Sequence, residues 1–330
     1  MLILGIETSC DETACAIVKD GREVLCNIVA SQIKTHRQYG GVVPEVAARE
    51  HLEAINVVID EAFAQSGLKP SDTDAFSATV GPGLVGCLLV GLNAAKTLSL
   101  VYNKPFIGTD HLKAHVCANF IDTDLKPPFL CLLVSGGHTQ IIKVEEYSRQ
   151  EIIAGTIDDA VGEVYDKSAR LLGLPYPGGI TLDKLAQEGN PFAYKLPEAK
   201  VGKDEFSFSG LKTAMLRLIQ SFSGQALEGA LVRDICASFQ ERVSSTLLNK
   251  TLLHAKELGY DTLVLAGGVA ANSELRKKFF ALQERGEYRV FAPQMKYCTD
   301  NASMVASCAY FNPIEALEPL NLEAFSRATA

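Results

Sequence analysis

The sequence predicts an α/β protein made of two globular units. Its 330 residues, 47% of them hydrophobic, are enough for about two cores at roughly 150 residues per domain. Short apolar runs are followed by tight turns and then by longer stretches with the apolar spacing of helices. Two hairpins, one at the N-terminus and one at 128–144, share the order apolar strand, short polar turn and return strand, which is typical of a duplicated fold.

The N-terminal part alternates predicted strands and helices. Segments 2–6 and 14–18 form the first hairpin, and a third strand follows at 23–33. Apolar residues at helical spacing predict an amphipathic helix from Pro44 that stops at Gly67. A further short strand then leads through a glycine-rich turn into a second helix, which is the pattern of an α/β layer.

The C-terminal part repeats this alternation after the second hairpin. A strand at 262–268 opens into a helix that begins at Asn272. In the last helix, 298–311, Thr299 or Asp300 is the predicted cap. Three other helices are predicted from apolar spacing, at 160–172, 210–222 and 229–258.

No low-complexity linker marks a domain boundary. We place the N-terminal lobe at 1–110 and the C-terminal lobe at 111–330, and we allow the last helix to pack back on the first lobe. The sequence shows neither a basic leader nor an apolar run of the length that a membrane span requires, so a soluble, cytoplasmic protein is expected. Nine cysteines without a C-x-x-C pair indicate reduced thiols.

The charge balance argues against a dedicated nucleic-acid binder. A net charge of −8 provides no general positive field, so any polyanion must meet a local basic patch. The best local candidate is the predicted loop SQIKTHRQYGG, which combines Lys34, His36, Arg37 and Tyr39. The alternative is an ordinary solvated loop.

Three glycine-rich turns stand at strand ends: GPGLVG at 81–86, SGGHT at 135–139 and AGGVAAN at 266–272. Such turns let the backbone approach a phosphate and point N–H groups at it. Any one of these turns is more typical of an ordinary tight turn between a strand and a helix, but the three together favour a nucleotide site. No GK[ST] follows the glycines, and the dinucleotide fingerprint lacks its acidic partner, so the phosphates must be held in another way.

The segment HLKAH carries a candidate metal site. His111 and His115 are four residues apart, which places both imidazoles on one helix face, and we select Asp300 as the third ligand. The alternative is a pair of solvated surface histidines. Leu112 stands where the H-E-x-x-H metalloproteases have their general-base Glu, so proteolysis is not supported.

The first turn holds an acidic pair, Asp11 and Glu12, between Ser9 and Thr13. Carboxylates near a phosphate site can coordinate a cation or accept a proton, so both are candidate catalytic residues. The alternative is solvated turn charge.

Several blocks of the sequence resemble one known family. KTLSLVYNKPFIGTDHLKAHV at 96–116 is similar to that family's signature, with its Lys, aromatic residue, Pro and paired histidines. Further similar blocks follow in the family's order, namely LGIETSCDET, VVPEVAAREH, LLVSGGHT, GEVYDKSARLLGLPYPGG, FSFSGLKTA and LAGGVAAN. The family is the tRNA N6-adenosine threonylcarbamoyltransferases, formerly described as glycoprotease-like proteins.

The resemblance implies the fold of actin, heat-shock chaperones and sugar kinases (ASKHA), with two mixed-sheet lobes and an adenylate or ATP in the cleft. It also implies that His111, His115 and Asp300 bind one divalent metal, iron or zinc, with Fe(2+) preferred to Zn(2+). The implied substrate contacts are Val134, Ser135, Gly136, Gly137, His138, Asp166, Gly179, Asp183 and Asn272.

The implied activity is transfer of the threonylcarbamoyl group from threonylcarbamoyl-AMP to N6 of adenosine 37 in tRNAs that read ANN codons. The products are t6A and AMP, and Asp11 or Glu12 would accept the amine proton. The implied partners are tRNA, a paralogous TsaB-type protein and a small TsaE-type ATPase, without a membrane. A metalloprotease, a small-molecule kinase and an ATP-binding scaffold are the alternatives.

Overall fold

The computed structural model describes residues 1–222, 227–314 and 316–326. The chain divides into two compact units, each built around one mixed β-sheet, and the predicted α/β class is therefore confirmed. Unit 1 comprises Met1–Lys126, Glu146–Ser148 and Pro293–Ala330. Unit 2 comprises Pro127–Glu145 and Arg149–Ala292.

Among the described residues, unit 1 contributes the strands β1 Leu2–Glu7, β2 Glu12–Lys19, β3 Glu23–Ser31, β4 Ala75–Gly81 and β5 Phe106–Asp110. Unit 2 contributes β6 Phe129–Val134, β7 Thr139–Val144, β8 Gln150–Thr156, β9 Glu205–Phe206, β10 Thr262–Ala266 and β11 Arg289–Phe291. The first four helices are α1 Ile33–Arg37, α2 Pro44–Ser66, α3 Val85–Tyr102 and α4 His111–Cys117. The later helices are α5 Val161–Leu171, α6 Gly178–Ala186, α7 Ser209–Ser221, α8 Gly229–Leu258, α9 Ser273–Glu284 and α10 Ala302–Phe311.

The two sheets repeat one topology. In unit 1 the strand order is β3-β2-β1-β4-β5, with antiparallel pairing from β1 to β3 and parallel pairing from β1 through β4 to β5. In unit 2 the strands β8-β7-β6-β10-β11 have the same order and the same directions, and β9 extends the edge beside β8. The duplication suggested by the two hairpins is thus present in the backbone.

The central strand of unit 1 is covered on both faces. Leu4 and Ile6 of β1 join one apolar cluster with residues of α2 and α3, whereas Ile3 packs on the other side with Ala306 and Ala309 of α10. All five side chains are buried. Each fully buried Leu or Ile contributes roughly 1.5–3 kcal/mol, so this strand is a rigid base for the turn that follows it.

Helix α3 is long and apolar. By length and composition alone it could cross a membrane. It packs on α2 and β4 instead, as the core helix of a globular unit does. Its buried residues are Cys87, Leu88, Gly91, Leu92, Ala95 and Ser99.

The division between units differs from the boundary predicted after residue 110. Unit 1 extends to Lys126, because α4 packs against α10 rather than joining the second sheet. The C-terminal helix α10 packs on β1 and β2, in the way the prediction allowed. The sequence offers no signal for this boundary, since the contacts join segments about 190 residues apart along the chain.

The ends of two helices test the predicted caps. Gly67 ends α2 with φ of 70°, in the left-handed region that favours glycine. The cap predicted for the last helix is wrong: Asn301, rather than Thr299 or Asp300, accepts a hydrogen bond from the backbone of Met304. Asp300 is therefore left available for contacts with α4.

A remote carboxylate caps α7. Asp158 accepts hydrogen bonds from Ser207 Oγ at 2.6 Å, Ser209 Oγ at 2.7 Å and Phe208 N at 2.8 Å. Partial burial opposes ionisation, but these hydrogen bonds outweigh it and lower the pKa of Asp158.

We expect Asp158→Ala to destabilise the protein by about 1 kcal/mol at pH 7, the usual cost of replacing a capping Asp by Ala. Because the folded pKa is lowered, this stability is present above the unfolded pKa of about 3.9 and is lost as pH falls through the folded pKa. Urea unfolding of both proteins between pH 7 and pH 3 measures the difference, which should shrink in the acid range. Equal stabilities at pH 7 would contradict this role.

Candidate metal centre and substrate-contact residues

The metal candidates lie in unit 1, on elements that fix them independently. His111 begins α4 directly after β5, and Asp110 caps that helix by accepting from Leu112 N at 2.8 Å and Lys113 N at 3.0 Å. His115 lies one helical turn further on, as the spacing predicted. Asp300 arrives from the loop before α10, which packs against α4.

These three side chains come together. Asp300 Oδ1 lies 3.1 Å from His115 Nε2 and 3.7 Å from His111 Nε2. One ligand atom from each residue lies within 4.8 Å of the others, which is close enough for one ion. Histidine 115 is 1% exposed, and its Nδ1 has no hydrogen-bond partner among the described residues.

The charges of the cluster are strongly coupled. Burial alone would lower the pKa of His111, but the negative charges of Asp300 and Glu7 outweigh it and raise that pKa to about 9. Burial likewise opposes ionisation of Asp300, yet the two histidines lower its pKa to about 2. The protein thus concentrates negative charge here, and a proton on His111 compensates part of it when no cation is bound.

The donor set fits a divalent metal. Two imidazoles and one carboxylate are the ligands of non-haem Fe(II) sites and are also found in catalytic zinc sites. A buried imidazole nitrogen without a partner costs free energy in a purely structural cluster. His111, His115 and Asp300 therefore form a candidate site for one metal ion.

A second carboxylate supports His111 from behind. Glu7, at the end of β1, is fully buried, and its Oε2 lies 3.3 Å from His111 Nδ1. Ser9 N donates to Glu7 Oε1 and Thr79 Oγ1 donates to Glu7 Oε2, each at 2.6 Å. Ser9 Oγ also lies 3.2 Å from His111 Nδ1. Sequence reasoning did not single out Glu7, although the LGIETSCDET block that contains it was noted.

The predicted catalytic acids lie in the adjoining turn. Asp11 and Glu12 are both half-buried, and Ser31 Oγ donates to Glu12 Oε1 at 3.3 Å. Burial, together with the charges of Asp300 and Asp11, raises the pKa of Glu12 to about 10.

A buried histidine fixes this turn. His51 of α2 is fully buried, with Nε2 3.0 Å from the carbonyl of Cys10 and Nδ1 2.7 Å from Thr13 Oγ1. The carbonyl can only accept, so Nε2 carries the proton and Nδ1 accepts from the Thr13 hydroxyl. Sequence reasoning did not single out His51, although its VVPEVAAREH block was noted.

The first glycine-rich turn packs against the same turn. Leu84 N donates to the Ser9 carbonyl at 2.8 Å, and a Cβ at Gly83 would lie 2.7 Å from that oxygen. Only glycine permits this approach. In unit 1 the GPGLVG segment therefore has a packing role, which was the alternative to a phosphate loop.

All the predicted substrate contacts belong to unit 2. Ser135 and His138 close the SGGHT turn through a 2.8 Å bond from Ser135 N to the His138 carbonyl, and Gly136 and Gly137 lie exposed at its tip. The side chain of Val134 lies in the core, so only its backbone can meet a ligand.

The third glycine-rich turn rests on the same strand end. Gly267 has φ of 85°, and a Cβ there would lie 2.4 Å from the Val134 carbonyl. Gly267 is therefore required for the turn to reach β6. This contact joins the SGGHT and AGGVAAN turns within unit 2.

Asp166 and Asn272 have roles within the protein itself. Asp166 Oδ1 accepts from Gly178 N at 2.9 Å and Gly179 N at 3.1 Å, so it caps α6. The Asn272 side chain caps α9 by accepting from Leu275 N at 3.0 Å. It also donates to a group of buried acceptors: Asp183 Oδ1 at 3.1 Å, Gln240 Oε1 at 2.9 Å and Tyr165 Oη at 3.4 Å.

Asp183 retains accepting capacity. Its Oδ1 accepts from Asn272 Nδ2 and from Ser273 Oγ at 2.7 Å, whereas among the described residues its Oδ2 receives only a long contact of 3.4 Å from Ser273 N. An ionised carboxylate has about four acceptor sites, so Oδ2 can accept from a ligand hydroxyl. Gln240 and Tyr165, which complete this network, were not predicted from the sequence.

The predicted RNA-contact loop is partly wrong. Lys34, Arg37 and Tyr39 are exposed, but His36 is fully buried. Its Nε2 lies 3.0 Å from Gln32 Oε1, and its Nδ1 accepts from Val43 N at 3.4 Å. The segment forms α1, and His36 packs inward as one helical turn dictates.

Two solved structures share the fold. HypF from T. kodakarensis matches 93% of this chain and 47% of its own, with a TM-score of 0.61 and 15% identity. Component A of the Acidaminococcus fermentans (R)-2-hydroxyglutaryl-CoA dehydratase matches 94% and 98%, with a TM-score of 0.54 and 19% identity. These likenesses agree with the predicted ASKHA fold class.

Sequence comparisons are more specific. A family model described as TsaD, tRNA N6-adenosine threonylcarbamoyltransferase, matches residues 23–307. Curated proteins of that name from Gloeothece citriformis and Caldicellulosiruptor bescii are 52% and 50% identical to this chain. Each alignment covers 94% of this chain, and 92% and 93% of the respective relatives. The chain therefore belongs to the TsaD family of tRNA N6-adenosine threonylcarbamoyltransferases.

Proposed function

We propose that this chain transfers the threonylcarbamoyl group from threonylcarbamoyl-AMP to N6 of adenosine 37 in tRNAs that read ANN codons. Membership of the family supports a tRNA-modifying transferase. The observation that carries the proposed chemistry is the close approach of His111, His115 and Asp300, a donor set suited to a cation beside an anionic substrate. The products are t6A and AMP.

The reaction is an acyl-type transfer. N6 attacks the carbamoyl carbon, a C–N bond forms, the C–O bond to the phosphate breaks, and AMP leaves with the bonding electron pair. The amine proton must pass to a base. The substrate is an activated mixed anhydride, so the protein has to orient the amine, stabilise charge on the carbonyl oxygen and neutralise the departing phosphate.

In this proposal the metal ligands and the acidic pair of the first turn carry separate tasks. His111, His115 and Asp300 would hold one divalent ion, for which we propose Fe(2+), with Zn(2+), which binds the same type of donor set, as the alternative. When bound, this ion supplies positive charge for phosphate and carbonyl oxygens. Asp11 or Glu12 accepts the amine proton, and replacement of each by its amide distinguishes them.

Unit 2 binds the adenylate in this proposal. The exposed amides of Gly136 and Gly137 are suited to phosphate oxygens. The free accepting capacity of Asp183 Oδ2 is suited to a ribose hydroxyl. Asp166 and Asn272 act indirectly, because their side chains hold Gly179 and Asp183 in place.

The tRNA would be shared with partners. Unit 2 has as many basic as acidic residues, so the net charge of −8 lies on unit 1. A chain of this charge repels tRNA phosphates, and a basic surface on another protein would offset that repulsion. We propose that a TsaB-type paralogue and a TsaE-type ATPase act with it in the cytoplasm, with Lys34 and Arg37 as local phosphate contacts.

Reconstitution tests the transfer directly. Threonylcarbamoyl-AMP labelled on the carbamoyl carbon is incubated with the chain, its two partners and tRNA. We expect label on the tRNA and AMP in equal amounts, and no label on a matched tRNA with guanosine at position 37. Release of AMP by the complete mixture without labelled tRNA would overturn the proposal.

A further inference from the structure

We propose that Glu7 is a positioning residue that fixes the orientation and proton position of the metal ligand His111. The inference rests on the proposed function only in so far as that function places a metal on His111. It follows from the contacts that Glu7 makes within unit 1.

The placement of Glu7 is unfavourable without a partner. It is fully buried at the end of β1, the central strand of the unit 1 sheet, where Ile3, Leu4 and Ile6 are all fully buried and apolar. A carboxylate without compensating contacts is costly at such a position. An apolar residue would satisfy packing alone, so the carboxylate requires another explanation.

Three contacts hold the carboxylate rigidly. Oε1 accepts from Ser9 N and Oε2 accepts from Thr79 Oγ1, both at 2.6 Å. Oε2 can accept a further hydrogen bond, and it lies 3.3 Å from His111 Nδ1. Two donors from separate strand ends therefore aim one carboxylate oxygen at the imidazole.

This contact decides which nitrogen of His111 is free. An ionised carboxylate can only accept, so Nδ1 is the nitrogen that donates to Glu7, and Nε2 is left as the nitrogen that can bind a metal. Nε2 is the atom that lies 3.7 Å from Asp300 Oδ1. Metal-bound histidines commonly donate their other nitrogen to such a carboxylate, and loss of that partner costs 10–100-fold in affinity or activity, as a rough range.

The test is metal binding by the full chain, measured by Co(2+) competition with a chelator of known affinity and by the Co(2+) absorption spectrum. We expect Glu7→Gln to weaken Co(2+) binding about 10–100-fold and to change the spectrum, with the far-UV circular dichroism retained. Thr79→Val removes one support of the carboxylate and should give a smaller change in the same direction. Ser77→Ala is the matched control, because its buried hydroxyl on the same strand donates to the Leu4 carbonyl instead.

The outcomes separate this inference from the proposed function. The role of Glu7 is overturned by a folded Glu7→Gln protein with wild-type Co(2+) affinity and spectrum. It is also overturned by a wild-type protein that binds no Co(2+). If Glu7→Gln does not fold, Thr79→Val decides in the same way. Weakened binding in these variants supports the role of Glu7 even if the wild-type complex fails to modify tRNA, since no tRNA enters the measurement.

Discussion

His111→Ala is expected to lose metal retention and threonylcarbamoyl transfer together. The variant removes one of three ligands from a cluster whose donor atoms lie within 4.8 Å of one another. It also leaves Glu7 buried without its imidazole contact. Because loss of an outer-sphere partner already costs roughly 10–100-fold, we expect a fall in transfer of more than about 100-fold.

Metal analysis of the purified protein and rate measurement in the reconstituted complex check this expectation. His254→Gln is the matched control, because His254 is a buried histidine of α8 in unit 2 that contacts the Lys203 carbonyl. The control should keep both metal and activity. A His111→Ala protein that is free of metal and still transfers at the wild-type rate would refute a role for the metal.

Asn272→Asp is expected to destabilise the protein by about 3 kcal/mol at pH 7. The asparagine donates to Asp183 at 3.1 Å and to Gln240 at 2.9 Å, and it is 8% exposed. An aspartate of the same shape cannot donate, and it places a second negative charge beside Asp183. Buried charges left without compensation typically cost 3–5 kcal/mol.

The pH dependence distinguishes charge from packing. In the variant, the two carboxylates share a proton with a raised pKa, so the destabilisation is present above that pKa and is relieved as pH falls through it. Urea unfolding at pH 7 and pH 5 should therefore show partial recovery at the lower value. Asn249→Asp, an exposed position of α8, should change stability by less than about 0.5 kcal/mol. A pH-independent loss in Asn272→Asp would contradict the charge argument.

Local signals allowed the regular elements to be predicted. The amphipathic spacing and Gly67 gave α2, and Asn272 marked the start of α9, because these features act within one or two helical turns. Helix α6 was missed, since it begins with two glycines and depends on the remote carboxylate of Asp166. The two-residue strand β9 has too little sequence to carry a pattern.

The candidate site was predictable only in part for the same reason. The spacing of His111 and His115 places them on one helix face, which is a local rule. Asp300 could be selected from the sequence as a carboxylate able to complete the set of metal ligands. Its approach to the two histidines, however, depends on the packing of α10 against α4. Glu7 and His51 lie in noted sequence blocks, but their roles depend on tertiary contacts that local spacing does not predict.

Mass spectrometry of tRNA nucleosides from cells depleted of this protein tests the central claim most directly. The cells are rescued with the wild-type chain or with His111→Ala or His115→Ala copies expressed at the same level. The account predicts that threonylcarbamoyladenosine disappears on depletion and that only the wild-type chain restores it. Persistence of the nucleoside after depletion, or full rescue by either variant, would contradict it.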